Sequence, residues 1–503
     1  MNSKPITETW YTLRLARWAW RLIWNRRMAW TVVCLVSLVT VLWQWENWRS
    51  ARELKAVHQR VVERLGTDDP FAFMPPRVTD EQNYFANPVL ESWLHETTPG
   101  TLRLKYNPPK DALLPKDFIK PEIVEGEDGK AGRLDLKAWM AKRNLPNTEE
   151  PRLVLARELG DGNGLLPKLA EGLNKPYSIM KPGQREAMEA ADGNPWAAPY
   201  PQFESLNRFQ EQLGLHLRSA ALAGEGDKAA TIAHIMLRFC EAPARCGMIG
   251  CLVPLALHGI ALDALHEALE HPVWTEEALG RLQVRLAQFD DLKQYQRAHA
   301  GEILNMFAGL TYFRRHPEAF DLGGGSDAER SVTGFVVRNM PVGWHDANVA
   351  YYTNHMLDQL GPLTPTAWLD AGSRSEAVNA RVKAEVTWPN PRRILGAIAI
   401  PHVGNISQHA AETLFHRRCL IIACALEKHR LRHGAFPASL DTVKDDLKLF
   451  TLDDPAWPGH LPGFKLENGG YLLWSAGPDA RDDGGEKDKD WLWRVTFSLP
   501  NPA

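Results

Sequence analysis

The feature that most constrains this chain is a run of 18 residues near its N-terminus, Met28 to Trp45, that contains no charged side chain. As a helix rising about 1.5 Å per residue the run is about 27 Å long, close to the roughly 30 Å hydrocarbon core of a bilayer. Tryptophans lie near both ends of the run, where interfacial aromatic residues are expected: Trp24, Trp30, Trp43, Trp45 and Trp48. The pattern predicts a transmembrane helix over residues 28–48, through which the chain contacts membrane lipid. The alternative is a helix buried in a hydrophobic core.

The anchor is expected to remain in the mature chain, because no small-residue cleavage site follows it and the next residues, Gln44 to Trp48, are mostly bulky. Six basic residues precede the run, whereas four lie in the first 15 residues after it. This excess favours a cytoplasmic N-terminus, with the bulk of the chain outside the cytoplasm. Residues 1–27 then form a basic segment that either lies on anionic lipid or is simply solvated.

The composition of the 503 residues is that of ordinary globular proteins, with 44% hydrophobic and 24% charged residues. A net charge of −3 gives no indication of nucleic-acid binding. The cysteines contain no CxxC pair and leave an odd number outside the membrane, so neither structural zinc nor a disulfide framework is predicted. We expect thiols buried in apolar helices; a bridge formed by Cys240 or Cys246 is the alternative.

Composition shifts divide the rest of the chain into four parts. Residues 49–66 continue as a charged helical stalk, and residues 67–152 form an irregular segment with eleven prolines. Within that segment, Asp80 to Leu90 is expected to pack along a helical domain. Residues 153–404 form the helical domain, and residues 405–503 form a small α+β domain with an antiparallel sheet. The fold class is therefore mainly α.

The helical domain is predicted from apolar residues at three- and four-residue spacing. They recur from Leu206 to Ala220 and again from Ile232 to Cys240, on either side of a Gly-rich turn. A second helix pair is predicted over Ile249 to Leu269 and Leu279 to Phe289, with Thr275 as an N-cap. Gly247 to Leu262 is apolar but short, so it is interpreted as a buried core helix and not a second span. Successive hairpins resemble a tetratricopeptide-type solenoid in architecture only.

Two groups in the helical domain are candidates for chemistry. His345 and Asp346 could act as metal ligands or as a general base, as in a metal-dependent hydrolase. Glu302 lies among apolar residues and could assist them, or it could pair with Arg297 or Arg314. No HExxH, GxSxG or P-loop pattern occurs in the sequence, so a catalytic role is the weaker interpretation.

The C-terminal residues combine a helix with three strands. The helix covers Cys419 to Leu440 and is stopped by Gly434 and Pro437. Strands are predicted over Gly463–Leu466, Gly470–Ser475 and Trp491–Val495. The loop before the last strand supplies six carboxylates in twelve residues, which are hard oxygen ligands suited to Ca²⁺. They are Asp479, Asp482, Asp483, Glu486, Asp488 and Asp490.

These residues resemble the globular end of type II secretion major pseudopilins. The phrase ALEKHRLRHGAFP from Ala425 to Pro437, the DPAW phrase from Asp454 to Trp457, and the loop SAGPDARDDGG from Ser475 to Gly485 carry the resemblance. It implies a calcium-binding loop, although Ala480 stands where the family has glycine. The whole chain resembles a group of bacterial single-pass membrane proteins with the same domain order, which implies the bacterial inner membrane but no activity.

The sequence therefore predicts a membrane-anchored envelope protein that acts as a non-enzymatic scaffold for a protein or peptide partner. Two alternatives remain. One is an extracytoplasmic metal-dependent hydrolase, and the other is a secretion-system accessory protein.

Overall fold

A computed structural model describes most of the chain at the level of side chains. The described ranges are residues 26–91, 164–181, 183–195, 203–241, 247–316, 339–385, 390–401, 403–487 and 489–496, with residues 14 and 18 and short pieces between 94 and 159. The predicted basic segment, residues 1–27, lies almost entirely outside these ranges.

The described residues are mainly helical, with a small sheet near the C-terminus. In chain order the helices are α1 Arg26–Leu65, α2 Pro88–Glu91, α3 Leu136–Lys142, α4 Leu165–Ala170, α5 Gln184–Ala190, α6 Phe203–Leu222, α7 Gly226–Glu241, α8 Ile249–Leu269, α9 Glu276–Leu286, α10 Asp291–Arg315, α11 Val342–Leu360, α12 Ala371–Glu385, α13 Ile394–Ala399, α14 Gly404–His433 and α15 Lys444–Leu447. The strands are β1 Leu94–Glu96, β2 Leu104–Tyr106, β3 Ile123–Val124, β4 Arg133–Leu134, β5 Gly463–Glu467, β6 Gly470–Ser475 and β7 Trp491–Val495. Short 3₁₀ helices cover Asp80–Gln82, Tyr84–Ala86 and Leu440–Val443.

The predicted anchor and stalk form one continuous helix, α1, of 40 residues. Its most apolar stretch has no buried residue, and Trp30, Trp43, Trp45 and Trp48 are exposed. Such a helix is a candidate membrane anchor or signal sequence. Helix α8 is also long and apolar enough to cross a membrane, but 61% of its most apolar stretch is buried. The prediction that α8 is a core helix is therefore confirmed.

The chain folds into two compact units, each assembled from separate stretches of sequence. The first contains residues 1–64, 310–354 and 386–400, and the second contains residues 65–309, 355–385 and 401–503. The second unit includes residues from both the predicted helical domain and the predicted C-terminal domain. Helix α14 explains this, since it packs against α8, α9, α12 and β7.

Helix α14 begins at Gly404, earlier than the predicted Cys419, and ends where Gly434 adopts a left-handed conformation with a φ of 79°. The early start was missed because its first turns carry exposed polar residues such as Gln408 and His409. From Cys419 to Glu427, every residue of the helix is buried. A buried helix from the end of the chain, packed across earlier helices, is not the neighbour-to-neighbour stacking of a solenoid.

The core of the second unit forms where α6, α7 and α8 pack against one another. Phe209 and Phe239 meet at 4.7 Å between ring centroids. Tyr84 and Phe85, in the segment expected to pack along the helical domain, are buried beside Phe239 in a 3₁₀ turn. The N-cap of α9 is as predicted, because Thr275 Oγ1 accepts a hydrogen bond from Ala278 N at 3.2 Å. The helix itself starts at Glu276 and ends at Leu286, three residues earlier than predicted at either end.

The three predicted C-terminal strands are present as one antiparallel sheet in the order β5–β6–β7. Leu473 of the central strand pairs with Phe464 on one side and Trp493 on the other. Among the described cysteines, Cys240, Cys251, Cys419 and Cys424 are buried thiols and Cys34 is exposed. Cys246 lies outside the described residues.

Candidate functional site

The predicted calcium ligands lie in the loop between β6 and β7, and the structure describes all of them except Asp488. Asp482 Oδ1 accepts hydrogen bonds from Trp474 Nε1 at 2.8 Å and from Gly484 N at 2.9 Å. Asp479 Oδ1 accepts one from Arg481 N at 3.1 Å. Both carboxylates therefore shape the loop through hydrogen bonds of their own.

Asp490 holds the second half of the loop. Its Oδ2 accepts hydrogen bonds from Gly485 N at 2.7 Å and Glu486 N at 3.3 Å, and its Oδ1 accepts one from Asp483 N at 3.4 Å. Burial raises the pKa of the Asp490 carboxyl, although these N–H groups act in the opposite direction. The Asp490 oxygens thus face backbone N–H donors, and a cation would have to approach these oxygens from the same side.

Lys489 pairs with two further predicted ligands. Its Nζ lies 2.8 Å from Glu486 Oε2 and 3.6 Å from Asp483 Oδ1. The hydrogen bond to Glu486 and the charge of Asp483 raise the pKa of this lysine. An ammonium group therefore lies where a metal ion would have to compete for the same oxygens.

Within the described ranges, no three or more His, Cys, Asp or Glu side chains are grouped so that they could hold a metal ion. The observed loop does not fit the calcium site that the resemblance implies, because its carboxylates bind N–H groups and a lysine. Calcium binding at Asp479, Asp482, Asp483, Glu486, Asp488 and Asp490 stays a prediction.

The DPAW phrase, which also carries the resemblance, is in contact with this loop through Asp454. The buried Asp454 accepts hydrogen bonds from Ser475 Oγ at 2.6 Å and Ala476 N at 2.8 Å. Ala480, which stands at the glycine position, adopts a left-handed conformation with a φ of 56°. A side chain with a Cβ is strained there. The backbone thus adopts a glycine-like conformation where the sequence has alanine.

The predicted hydrolase residues occupy different units and have structural partners. Asp346 Oδ1 lies 2.8 Å from Arg314 Nη1 in the first unit. Glu302 belongs to the second unit, where its Oε2 accepts a hydrogen bond from Met248 N at 3.0 Å. A pair of Glu302 with Arg297 or Arg314 is not among the ion pairs of the described residues, and Arg314 binds Asp346 instead. Burial raises the pKa of the Glu302 carboxyl. His345, the residue before Asp346 in the chain, is also buried.

A buried ionic cluster in the second unit was not predicted. Asp291 forms an ion pair with Arg417, and its Oδ1 lies 3.0 Å from His258 Nδ1. All three side chains are at most 2% exposed. Burial by itself raises the pKa of the Asp291 carboxyl. Arg417 and His258 lower this pKa by more than burial raises it, so the net shift is downward. Asp291 is therefore charged in the core and depends on these neighbours.

A cleft of about 550 Å³ lies next to this cluster. Phe289 forms the wall between them, since its ring is 4.8 Å from the His258 ring and 4.9 Å from the Arg417 guanidinium carbon. The other lining residues combine proline and aromatic rings with charges of both signs. They include Phe73, Pro75, Pro76, Pro176, Tyr177, Glu241, Asp290, Lys293 and Arg297.

The walls of the cleft are held in place by the core. Phe73 packs with the buried pair Met74 and Met188, which links the Pro-rich segment to α5. Tyr177 forms two backbone hydrogen bonds, to Tyr84 N at 2.8 Å and Gln82 O at 3.1 Å. The cleft therefore has fixed walls, and Tyr177 remains 38% exposed.

The chemistry of the cleft suits binding more than covalent catalysis. Its thiol, Cys240, is buried, and burial raises the thiol pKa well above its ordinary value, so it is not a nucleophilic thiolate at neutral pH. Burial likewise raises the pKa of Glu241, although Arg285 and Arg238 oppose the shift. Rings and paired charges on a concave surface are features of binding sites.

Sequence reasoning missed the cluster and the cleft because their residues come from distant segments. The available signal was a charged residue inside an apolar helical pattern, as with Arg417 just before Cys419 to Leu426. That signal identifies a buried charge but does not name its partner.

No protein-family model, curated protein or solved structure matches this chain.

Proposed function

We propose that this chain is a single-pass membrane protein whose second unit binds an extended segment of a protein partner in the cleft beside Tyr177. One observation carries the membrane anchor: the most apolar stretch of α1 is entirely exposed, although exposing so much apolar surface to water is unfavourable. A bilayer removes that cost. The excess of basic residues before the apolar run supports a cytoplasmic N-terminus. A bacterial inner membrane is what the resemblance of the sequence implies.

The cleft supports a peptide partner rather than a small ionic ligand. Pro75, Pro76 and Pro176 present rigid apolar surfaces, and Tyr177 offers an exposed ring. Lys293 and Asp290 add charges of opposite sign at the same opening. A peptide with alternating apolar and charged side chains matches both features.

Photo-crosslinking from the full-length chain in its own membrane tests the peptide site. A benzoylphenylalanine at Tyr177 is expected to capture a discrete partner. The same group at Val284, an exposed valine of α9, is the control. We expect Lys293→Glu to reduce the yield about two- to five-fold, since a rim charge contributes about 0.5–1 kcal/mol. Arg281→Glu, a cation exposed on α9, is expected to leave the yield unchanged.

Two outcomes would contradict the peptide site. One is the absence of any crosslink from position 177, and the other is an identical set of products from positions 177 and 284. The hydrolase and secretion-accessory alternatives stay predictions, and the described geometry adds no observation in favour of either.

A further inference from the structure

The first turn of α11 lies beside the end of the apolar run in α1. Gly343 N donates a hydrogen bond to Asn47 Oδ1 at 2.9 Å. A Cβ on Gly343 would lie 2.8 Å from Asn47 Oδ1 and 3.0 Å from its Cα, so this approach requires glycine. Asn47 is two residues beyond Trp45, which is about 3 Å along a helix axis.

A second contact fixes the direction of α11. Arg60 Nη1 donates to Asn354 Oδ1 at 2.9 Å. From Asn47 to Arg60 the axis of α1 rises about 20 Å, and from Gly343 to Asn354 the axis of α11 rises about 16 Å. The two helices therefore run side by side in the same direction, and only the N-terminal end of α11 lies at the level where the apolar run ends.

The ion pairs of Arg392 are a third contact that supports this position of the first turn of α11 along the axis of α1. Arg392 pairs with Glu46 at 2.6 Å and with Glu53 at 2.8 Å, both on the first two turns of α1 beyond Trp45. The segment that follows packs on α11 at Asn348, whose Oδ1 accepts hydrogen bonds from Leu395 N and Gly396 N. The N-terminal half of α11 is thus held to α1 directly through Gly343 and indirectly through the segment that follows Arg392.

An apolar side chain is exposed at this height. Val342, the first residue of α11, is 51% exposed, and it lies next to Asn47 through its neighbour Gly343. The headgroup region of a bilayer is about 5–7 Å thick on each side of the hydrocarbon core. A side chain at the level of Asn47 falls within that layer when residues 28–45 span the core.

We propose that the first turn of α11 is immersed in the lipid headgroup region, with Val342 in contact with lipid. This inference rests on the proposed membrane anchor. The occupant is lipid rather than protein, because the exposed valine lies at the height where the apolar surface of α1 leaves the hydrocarbon core. The contact limits how far the first unit can tilt from the bilayer.

Depth-dependent fluorescence quenching of the full-length chain tests the proposal. The chain is placed in vesicles of phosphatidylcholine and phosphatidylglycerol, and an environment-sensitive fluorophore is attached to one cysteine at a time. Cys34, exposed within the apolar run, is the natural probe for the hydrocarbon core and is labelled in a chain carrying Cys246→Ser. Val342→Cys and Val62→Cys are made in a chain carrying Cys34→Ser and Cys246→Ser. Val62 is an exposed valine of α1 about 25 Å beyond Trp45, outside the bilayer.

We expect a lipid with a headgroup spin label to reduce fluorescence at position 342 by about two-fold or more, and to leave position 62 almost unchanged. A label deep in the acyl chain should quench Cys34 most strongly. Quenching at position 342 equal to that at position 62, with Cys34 quenched, would overturn the lipid contact and leave the anchor standing. Absence of quenching at Cys34 would instead overturn the anchor itself.

Discussion

Removing the charge of Asp291 is expected to destabilise the second unit strongly. Asp291→Asn keeps the shape of the side chain but leaves the Arg417 guanidinium without its carboxylate in a site where both are at most 2% exposed. Breaking a buried ion pair in this way costs about 3–5 kcal/mol, because a buried charge loses its compensation. The packing of Phe289 over Arg417 does not replace a counter-charge.

The double variant separates this electrostatic cost from a loss of packing. Arg417→Met alone leaves Asp291 charged and buried, with His258 as its remaining partner. Asp291→Asn together with Arg417→Met removes both charges, so its cost should be smaller than the sum of the single costs by at least about 2 kcal/mol. The exposed pair of Glu277 and Arg281 provides a control, since Glu277→Gln should cost less than about 1 kcal/mol.

Guanidinium unfolding of the full-length chain in a mild detergent, followed by tryptophan fluorescence, gives the free energies of unfolding. A cost for Asp291→Asn no larger than that for Glu277→Gln would contradict a buried charge pair at this position. Single costs that simply add in the double variant would contradict it as well.

Three further predictions concern Ala480, His299 and the β6–β7 loop. Ala480→Gly should raise the free energy of unfolding by roughly 0.5–1 kcal/mol, because the φ of 56° strains a residue with a Cβ; an unchanged or lower value from denaturation would contradict this. Burial lowers the pKa of His299 to about 4, below its unfolded value near 6.5. As the pH falls, the unfolded state therefore binds the proton before the folded state does. The contribution of this histidine to stability is fully present above about pH 6.5 and is lost as the pH falls toward 4. Between pH 7 and 5 this histidine should account for a loss of about 2 kcal/mol, which His299→Gln would remove from the pH profile. From the geometry of the β6–β7 loop, millimolar calcium should leave the melting temperature unchanged; a rise that Asp482→Ala abolishes would restore the calcium site predicted from the sequence.

Much of the secondary structure could be predicted because it depends on local patterns. The alternation of side chains identified β6 and β7 at their observed bounds, and Thr275 identified the start of α9. The 18-residue uncharged run of residues 28–45 and the shorter apolar run of residues 247–262 were enough to predict an anchor in α1 and a core helix in α8, although α8 as a whole is also long and apolar enough to cross a membrane. These features are set by residues close together in the chain.

The site could not be predicted because its contacts join distant segments. Asp291 and Arg417 are 126 positions apart, and Gly343 lies 296 positions from Asn47. A charged residue in an apolar helix predicts a buried partner but does not identify it. For the acidic loop, a dense set of carboxylates predicts a metal site, whereas the partners described in the structure are backbone N–H groups and Lys489, contacts that depend on how the loop folds.

The membrane anchor is tested by the fraction of full-length chain that stays in the membrane pellet after an alkaline carbonate wash. We expect the natural chain to remain in the pellet with residues 28–45 intact. Val36→Asp combined with Val39→Asp should release it, because each charge near the middle of the span costs about 2.5–3.5 kcal/mol. Release of the natural chain into the supernatant, or retention of the double variant at the natural level, would contradict the claim that α1 anchors this protein in a bilayer.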